Sequence, residues 1–164
     1  MRVLVFNAGS SSLKFALFDS APAIRPLIRG TFDRFGPGGC ELARDRGQGP
    51  ERRTAPHPDI ARAIAAVPAM LAAEGLGGVQ AVGHRMVHGG AEFDRAVRLT
   101  PQLLARIEHL TPLAPLHNPA NLEAVRLAQQ VWPVLPQVAV FDTAFHLTAP
   151  PRATTYAVPA AWRA

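Results

Sequence analysis

The run Asn7-Ala8-Gly9-Ser10-Ser11-Ser12-Leu13-Lys14 constrains the chain most. It cuts off the apolar stretch Val3-Leu4-Val5-Phe6 with a small polar turn and leads into the alternating segment Leu13 to Asp19. Side chains of a strand point alternately to its two faces, so the pattern calls for two strands joined by a tight, hydroxyl-rich turn. The turn carries Lys14, the only lysine among 17 basic residues. A lysine ammonium is a compact charge with rotatable donors, suited to a phosphate oxygen approached end-on, whereas arginine brings a planar fork. Serine hydroxyls and a glycine let the chain close around an anion without steric cost. The same residues fit an ordinary Gly/Ser turn, and both readings stand at this point. A Walker loop is excluded, because Gly-x-x-x-x-Gly-Lys-Ser/Thr does not occur and the segment leads into a strand. A nucleophile elbow is excluded too, since no Gly-x-Ser-x-Gly surrounds Ser10, Ser11 or Ser12.

Periodicity extends this start into an α/β pattern. Strands are expected over 2–7, 12–19 and about 23–32 as an antiparallel meander, followed by a polar Gly/Pro-rich loop over 36–58. Asp59 reads as the cap of a helix with Ile60, Ile64, Val67 and Leu71 on one face and Gly75 just beyond its end. Pro68 should kink or divide that helix. A buried strand over 79–87 and a short helix over 101–110 come next. Asn118-Pro119 reads as a capping side chain followed by proline at the first helical position, with Leu122, Val125, Ala128 and Val131 continuing the helix. A last strand over 137–141 ends at Asp142, and the tail from Pro150 reads as a connector.

At 164 residues and 48% hydrophobic, the chain suits one core. The net charge of +5 comes from dispersed arginines, and aromatics are only 7%. With no basic stripe interleaved with stacking rings, a nucleic-acid surface is disfavoured. A single cysteine, Cys40, allows no internal disulfide and suits a reducing compartment. The apolar run after Met1-Arg2 is too short for a signal segment, and Ala63 to Ala73, interrupted by Pro68, is too short to span a bilayer. A soluble cytoplasmic protein with no membrane contact is expected.

Three later segments, Gly83-His84-Arg85-Met86-Val87-His88-Gly89-Gly90, Leu113-Ala114-Pro115-Leu116-His117-Asn118-Pro119-Ala120-Asn121 and Val140-Phe141-Asp142-Thr143-Ala144-Phe145-His146, join the first. Together, in this order and spacing, the four closely resemble the acetate kinase family, part of the superfamily of actin, sugar kinases and heat-shock chaperone ATPases. The resemblance implies a ribonuclease H-like ATPase domain, a mixed sheet with antiparallel first strands flanked by helices, and the first of two such domains with nucleotide between them. It implies residues 1–150 as the amino-terminal domain and 151–164 as the start of a connector. Motifs for a second phosphate contact, the adenosine, a second active-site arginine and a metal-binding glutamate would follow residue 164, so the chain by itself is expected to be inactive. The implied reaction is reversible transfer of a phosphoryl group from ATP to acetate with Mg2+, giving acetyl phosphate and ADP, in an enzyme that is a homodimer at full length. Propionate kinase and a non-catalytic, truncated carboxylate-binding domain are the alternatives.

The residues read consistently with that. On a strand, Arg85 shares a face with Val87 while His84, Met86 and His88 take the other. An arginine fork beside a small apolar side chain suits the two ends of a short carboxylic acid, and the resemblance implies substrate binding by Arg85, with Val87 and Leu116 lining the acyl pocket. A buried arginine in a structural ion pair is the alternative. His84 and His88 sit about 13 Å apart on a strand, which favours structural roles over a shared metal. His117 immediately precedes a helix start, where the dipole disfavours a protonated ring. A neutral imidazole there could donate to a transferring phosphoryl oxygen, the role the resemblance implies, or it could simply cap or pack. Asp142 ends a strand at the carboxyl edge where open α/β sheets bind ligands. The resemblance implies a catalytic role, and for an already ionised carboxylate substrate positioning and electrostatics fit better than proton abstraction. His146 is expected to hydrogen-bond Asp142. A hydrolase built from Ser10–Ser12, His146 and Asp142 lacks an oxyanion loop signature. The resemblance places Asn7 at the metal, and Ser10, Ser12 and Lys14 at the phosphates of ATP.

Overall fold

The computed structural model describes residues 1–162. The meander begins as expected, with β1 (Arg2–Ala8) antiparallel to β2 (Ser12–Asp19) and β2 antiparallel to β3 (Arg25–Gly36). It then continues where a loop was expected. Residues 36–58 contain β4 (Gly39–Asp45) and β5 (Glu51–Ala55), both antiparallel additions to the same sheet. Their polarity is that of a sheet margin rather than a loop. Cys40, Leu42 and Ala55 face the core, while Arg52 reaches Glu41 at 2.6 Å and Arg44 reaches Glu51 at 3.3 Å. Charged side chains on an edge strand discourage pairing with another chain. Gly39 makes the β3–β4 turn possible, since it sits at φ +107° and a Cβ there would lie 2.2 Å from the carbonyl oxygen of Ala55.

On the other side of β1 the sheet becomes parallel. β6 (Ala81–Met86) runs alongside β1, β8 (Gln137–Phe141) runs alongside β6, and the short β7 (Val97–Arg98) closes the far edge antiparallel to β8. The order across the sheet is β5-β4-β3-β2-β1-β6-β8-β7. This is a mixed α/β sheet with antiparallel first strands and flanking helices.

The helix α1 (Ile60–Ala73) starts at Asp59, whose carboxylate accepts from the Arg62 amide at 2.8 Å. It ends in a Schellman turn at Gly75, with Leu76 N–H on Leu71 C=O at 2.8 Å and Gly75 N–H on Ala72 C=O at 2.9 Å. Pro68 does not divide it. An internal proline costs about 3 kcal/mol, whereas fully burying each large apolar side chain contributes about 1.5–3 kcal/mol. Ile64, Val67 and Leu71 are all buried on this helix, so packing wins. α2 (Pro101–His109) is capped by Thr100, and α3 (Asn118–Val131) packs against α1 and β6.

All three helices lie over the sheet face that carries Leu4, Phe6, Leu13, Leu17, Met86, Ala139 and Phe141. His84 belongs to that core. It is 2% exposed, stacks on Phe6 and shares a 2.7 Å hydrogen bond with the Gln137 side chain. Burial pushes its pKa down to about 4, against the opposing pull of the Gln137 bond. A neutral core imidazole is the role expected for it. Beyond β8 the chain makes a 3-10 turn at Asp142–His146 and a single helical turn at Pro151–Thr154, with Tyr156 and Trp162 exposed. The last two residues of the expected connector lie outside the described residues.

Candidate functional site

Parallel strands share a direction, so β1, β6 and β8 end at the same edge of the sheet. The segments that leave them are the Gly9–Ser11 turn, residues 87–90 and the turn at Asp142–His146. The amino terminus of α3 joins them, because Asn121 bonds to both Ala8 and Val87. Four segments distant in sequence therefore meet at the carboxyl edge of the parallel strands, the usual ligand edge of an open α/β sheet.

The sheet face opposite the helices holds the charged centre. Arg85 lies one residue before the end of β6. Its Nε donates to Asp142 Oδ1 at 3.1 Å, its Nη2 donates to Asp142 Oδ2, and its Nη1 donates to Asn7 Oδ1 at 3.4 Å. Asp142 thus occupies the side edge of the guanidinium, Nε with Nη2. Nη1 and Nη2 each keep one further N–H, because the group has five N–H in all. The two side chains are 39% and 46% exposed. A pair so open contributes about 0–1 kcal/mol to stability, so its main effect is to fix the direction of the fork.

Asn7 faces Lys14 across the β1–β2 ladder. Lys14 is exposed and makes no ion pair among the described residues. The two line a groove of about 370 Å³ on the open sheet face, with Val5, Ala16 and Phe18 among its apolar walls. The Gly9 amide closes the preceding turn on the Ser12 carbonyl at 2.8 Å, leaving Ser10 exposed and Ser12 half-buried. Asn7, Lys14, Arg85 and Asp142 therefore form one continuous polar row beside the serine turn.

Three expectations are corrected here. His146 does not bond Asp142, whose carboxylate goes to Arg85, and the His146 ring packs against Phe145 instead. In a 3-10 turn, residues three apart eclipse and residues four apart diverge. Asn118 does not cap α3. It is the first residue of the helix, His117 holds the cap position without a side-chain bond, and the buried Asn118 amide reaches back to the His88 backbone. Strand β6 stops at Met86, so Val87 is held by its amide bond to Asn121 rather than by the ladder. His117 is exposed with no side-chain hydrogen bond among the described residues. Leu116 is 79% exposed, so it walls off no closed pocket. His88 Nδ1 accepts from the Gly90 amide at 2.9 Å, a local structural role.

Asn118, Asn121 and Thr143 were missed as functional candidates. Asparagine beside proline is the ordinary mark of a helix start, and only their burial, 0% for Asn118 and 2% for Asn121, reveals work elsewhere.

The fold is a mixed α/β sheet with a hydroxyl-rich turn, an exposed lysine and a braced arginine near the ends of its parallel strands. The chain belongs to the acetokinase family, whose model matches residues 2–164. It is 46% identical to the acetate kinase of Streptomyces griseus over 165 residues, covering 96% of this chain and 40% of the relative. Among solved structures, a propionate kinase from Francisella tularensis superposes with a TM-score of 0.85 at 36% identity, covering 97% of this chain and 41% of that one. The acetate kinase of Porphyromonas gingivalis gives a TM-score of 0.85 at 37% identity, covering 96% and 41%. The chain thus spans about two fifths of the length of these relatives. No helix among the described residues is long and apolar enough to cross a membrane.

Proposed function

We propose that this chain carries the carboxylate seat and part of the phosphate seat for reversible phosphoryl transfer from ATP to acetate, giving acetyl phosphate and ADP. The observation that carries the reading is the bracing of Arg85. Asp142 takes the side edge of the fork and Asn7 one end nitrogen, leaving one N–H on each terminal nitrogen to receive a carboxylate.

In this reading the acid enters with its charged end on Arg85 and its methyl end toward Val87. Arg85 fixes the carboxylate so that one oxygen faces the terminal phosphorus of the nucleotide. Asp142 needs to accept no proton from an acid already ionised; it orients the guanidinium and balances its charge. Lys14, Ser10 and Ser12 face the phosphates, with Lys14 neutralising charge that moves as the bond to the leaving oxygen breaks and the bond to the acyl oxygen forms. His117, exposed at the start of α3, is assigned to the phosphoryl oxygens as a hydrogen-bond donor. Catalysis by positioning and charge neutralisation suits a step in which the protein forms no covalent bond.

The donor set fits Mg2+ held mainly through nucleotide phosphates and water. Asn7, whose amide oxygen also accepts from Arg85, would hold the ion through one of its water ligands, and the ion would supply charge neutralisation at the phosphates. Residues 1–150 are assigned to the domain and 151–164 to the start of a connector toward a second domain. The remaining nucleotide contacts, and a homodimer of the full-length enzyme in the cytoplasm, belong to that larger assembly. Propionate is the second substrate to consider, because the exposed Leu116 sets little limit on acyl length and a propionate kinase is among the similar structures. Titration with acetate against acetamide, its neutral counterpart, tests the seat. Acetate should bind and acetamide should not.

A further inference from the structure

The segment just past β6 is held in an unusual way. Beyond Met86 the strand has no ladder, yet four successive amides are satisfied by side chains. Val87 N–H donates to Asn121 Oδ1 at 3.1 Å, His88 N–H to Asn118 Oδ1 at 3.2 Å, Gly89 N–H to Thr143 Oγ1 at 3.0 Å and Gly90 N–H to His88 Nδ1 at 2.9 Å. The two asparagines also use their donors. Asn118 Nδ2 reaches the His88 carbonyl at 3.1 Å and Asn121 Nδ2 the Ala8 carbonyl at 2.7 Å. Gly89 is pressed so close to Phe141 and Phe93 that a Cβ would meet their atoms at 2.8 and 2.9 Å. The segment is therefore gripped from α3 on one side and from the turn after β8 on the other.

Asn121 stands apart within this set because it spans two strands. Its oxygen fixes Val87, the acyl end of the seat, and its nitrogen fixes the last residue of β1, immediately before the serine turn. A primary amide can do both at once, being acceptor and donor in one plane. A carboxylate in its place keeps the first bond and loses the second.

We propose that Asn118, Asn121 and Thr143 are positioning residues, and that Asn121 sets the spacing between the acyl end of the carboxylate seat and the phosphate turn. The proposal rests on the reading of Arg85 and Val87 as that seat. Asn118 and Thr143 hold the intervening backbone, so each affects the acid without touching it. Of the three, Asn121 is the one that reaches the strand leading into the serine turn.

The test uses the whole chain, labelled with nitrogen-15, with acetate and inorganic phosphate as probes. Thr143→Val removes the acceptor at nearly constant volume. It should speed exchange of the Gly89 amide at least tenfold and raise the acetate dissociation constant at least fivefold. Thr143→Ser should bring both back to within twofold of the original chain. Asn121→Asp should leave the Val87 amide protected while shifting the Gly9 to Ser12 amides and weakening phosphate at least fivefold. Leu42→Ala, remote in β4, serves as the destabilised control and should leave both dissociation constants unchanged.

If the original chain binds acetate and Thr143→Val binds it equally well, the positioning role is overturned and the carboxylate seat survives. The same follows if Leu42→Ala weakens acetate as much as Thr143→Val does. If the original chain shows no acetate response at Arg85 or Val87, the carboxylate reading falls and this proposal falls with it. Rapid exchange of the 87–89 amides in the original chain overturns the grip itself.

Discussion

At the scale of single residues, the proposed function separates the candidate site into an acyl end and a phosphate end, which should be perturbed independently. Val87 is half-buried beside Arg85, while Lys14 stands exposed across the ladder from Asn7. Val87→Ala should shift preference from acetate toward propionate by about tenfold, the lower end of what one methylene commands in an apolar pocket. It should leave ATP affinity unchanged. Lys14→Ala should weaken ATP and leave the acetate-to-propionate ratio alone. Binding constants for both acids and for ATP in both variants check this. A Val87→Ala protein with altered ATP affinity and unaltered acyl preference would remove Val87 from the seat. Arg85, Asp142 and Asn7 were singled out by the family resemblance, and the strand pattern placed each of them at or near a strand end. Their mutual bonds were not, since a pairing between residues 57 positions apart depends on strand order, which periodicity does not encode.

Among the elements, the parallel strands carry a pH dependence of stability. His84 on β6 is buried, bonded to Gln137 on β8, and held with its pKa near 4. An unfolded histidine titrates near 6.5. Between these values the unfolded chain binds a proton that the folded chain does not, so stability falls as pH falls from about 6.5 to about 4. The full shift corresponds to about 3 kcal/mol for this group. His84→Gln removes the titration, and urea unfolding between pH 7 and 4 should give it a shallower loss than the original chain. Parallel pH profiles would show that His84 does not carry the dependence. The helices, β1 and β2 were readable to within a residue or two, because caps such as Asp59 and the two-residue alternation of β1 and β2 are local signals, whereas β3 runs four residues past its expected end. β4 and β5 were read as loop because their arginines and glutamates look like solvent. The ion pairs between neighbouring strands explain how such residues stay in a sheet. Pro68 misled in the opposite direction: a local breaker was overruled by the buried face of α1.

For the molecule as a whole, the same topology leaves one sheet face under the helices and the other open, with the polar row along its edge. The chain covers only 40% of the length of a full acetate kinase relative. If the remaining nucleotide contacts lie in the rest of such a protein, this chain should bind acid but not turn it over. A coupled assay for ADP formation with acetate, ATP and Mg2+ should read no more than background, and turnover within tenfold of a full-length relative would contradict that division of labour. More narrowly, the proposed seat is a braced Arg85 at the meeting of four separated segments, with one N–H on each terminal nitrogen left for a carboxylate. Its most direct test is an acetate titration of the original chain, Arg85→Leu and Arg85→Lys, following the Arg85 Nε–H signal and the Val87 amide. Acetate should move the Val87 amide and leave the Nε–H bonded to Asp142. Arg85→Leu should lose about 1.5–3 kcal/mol of acetate binding, the range for hydrogen bonds to charged groups, and Arg85→Lys should recover only part of it. Acetate binding by Arg85→Leu as tight as in the original chain would contradict the account.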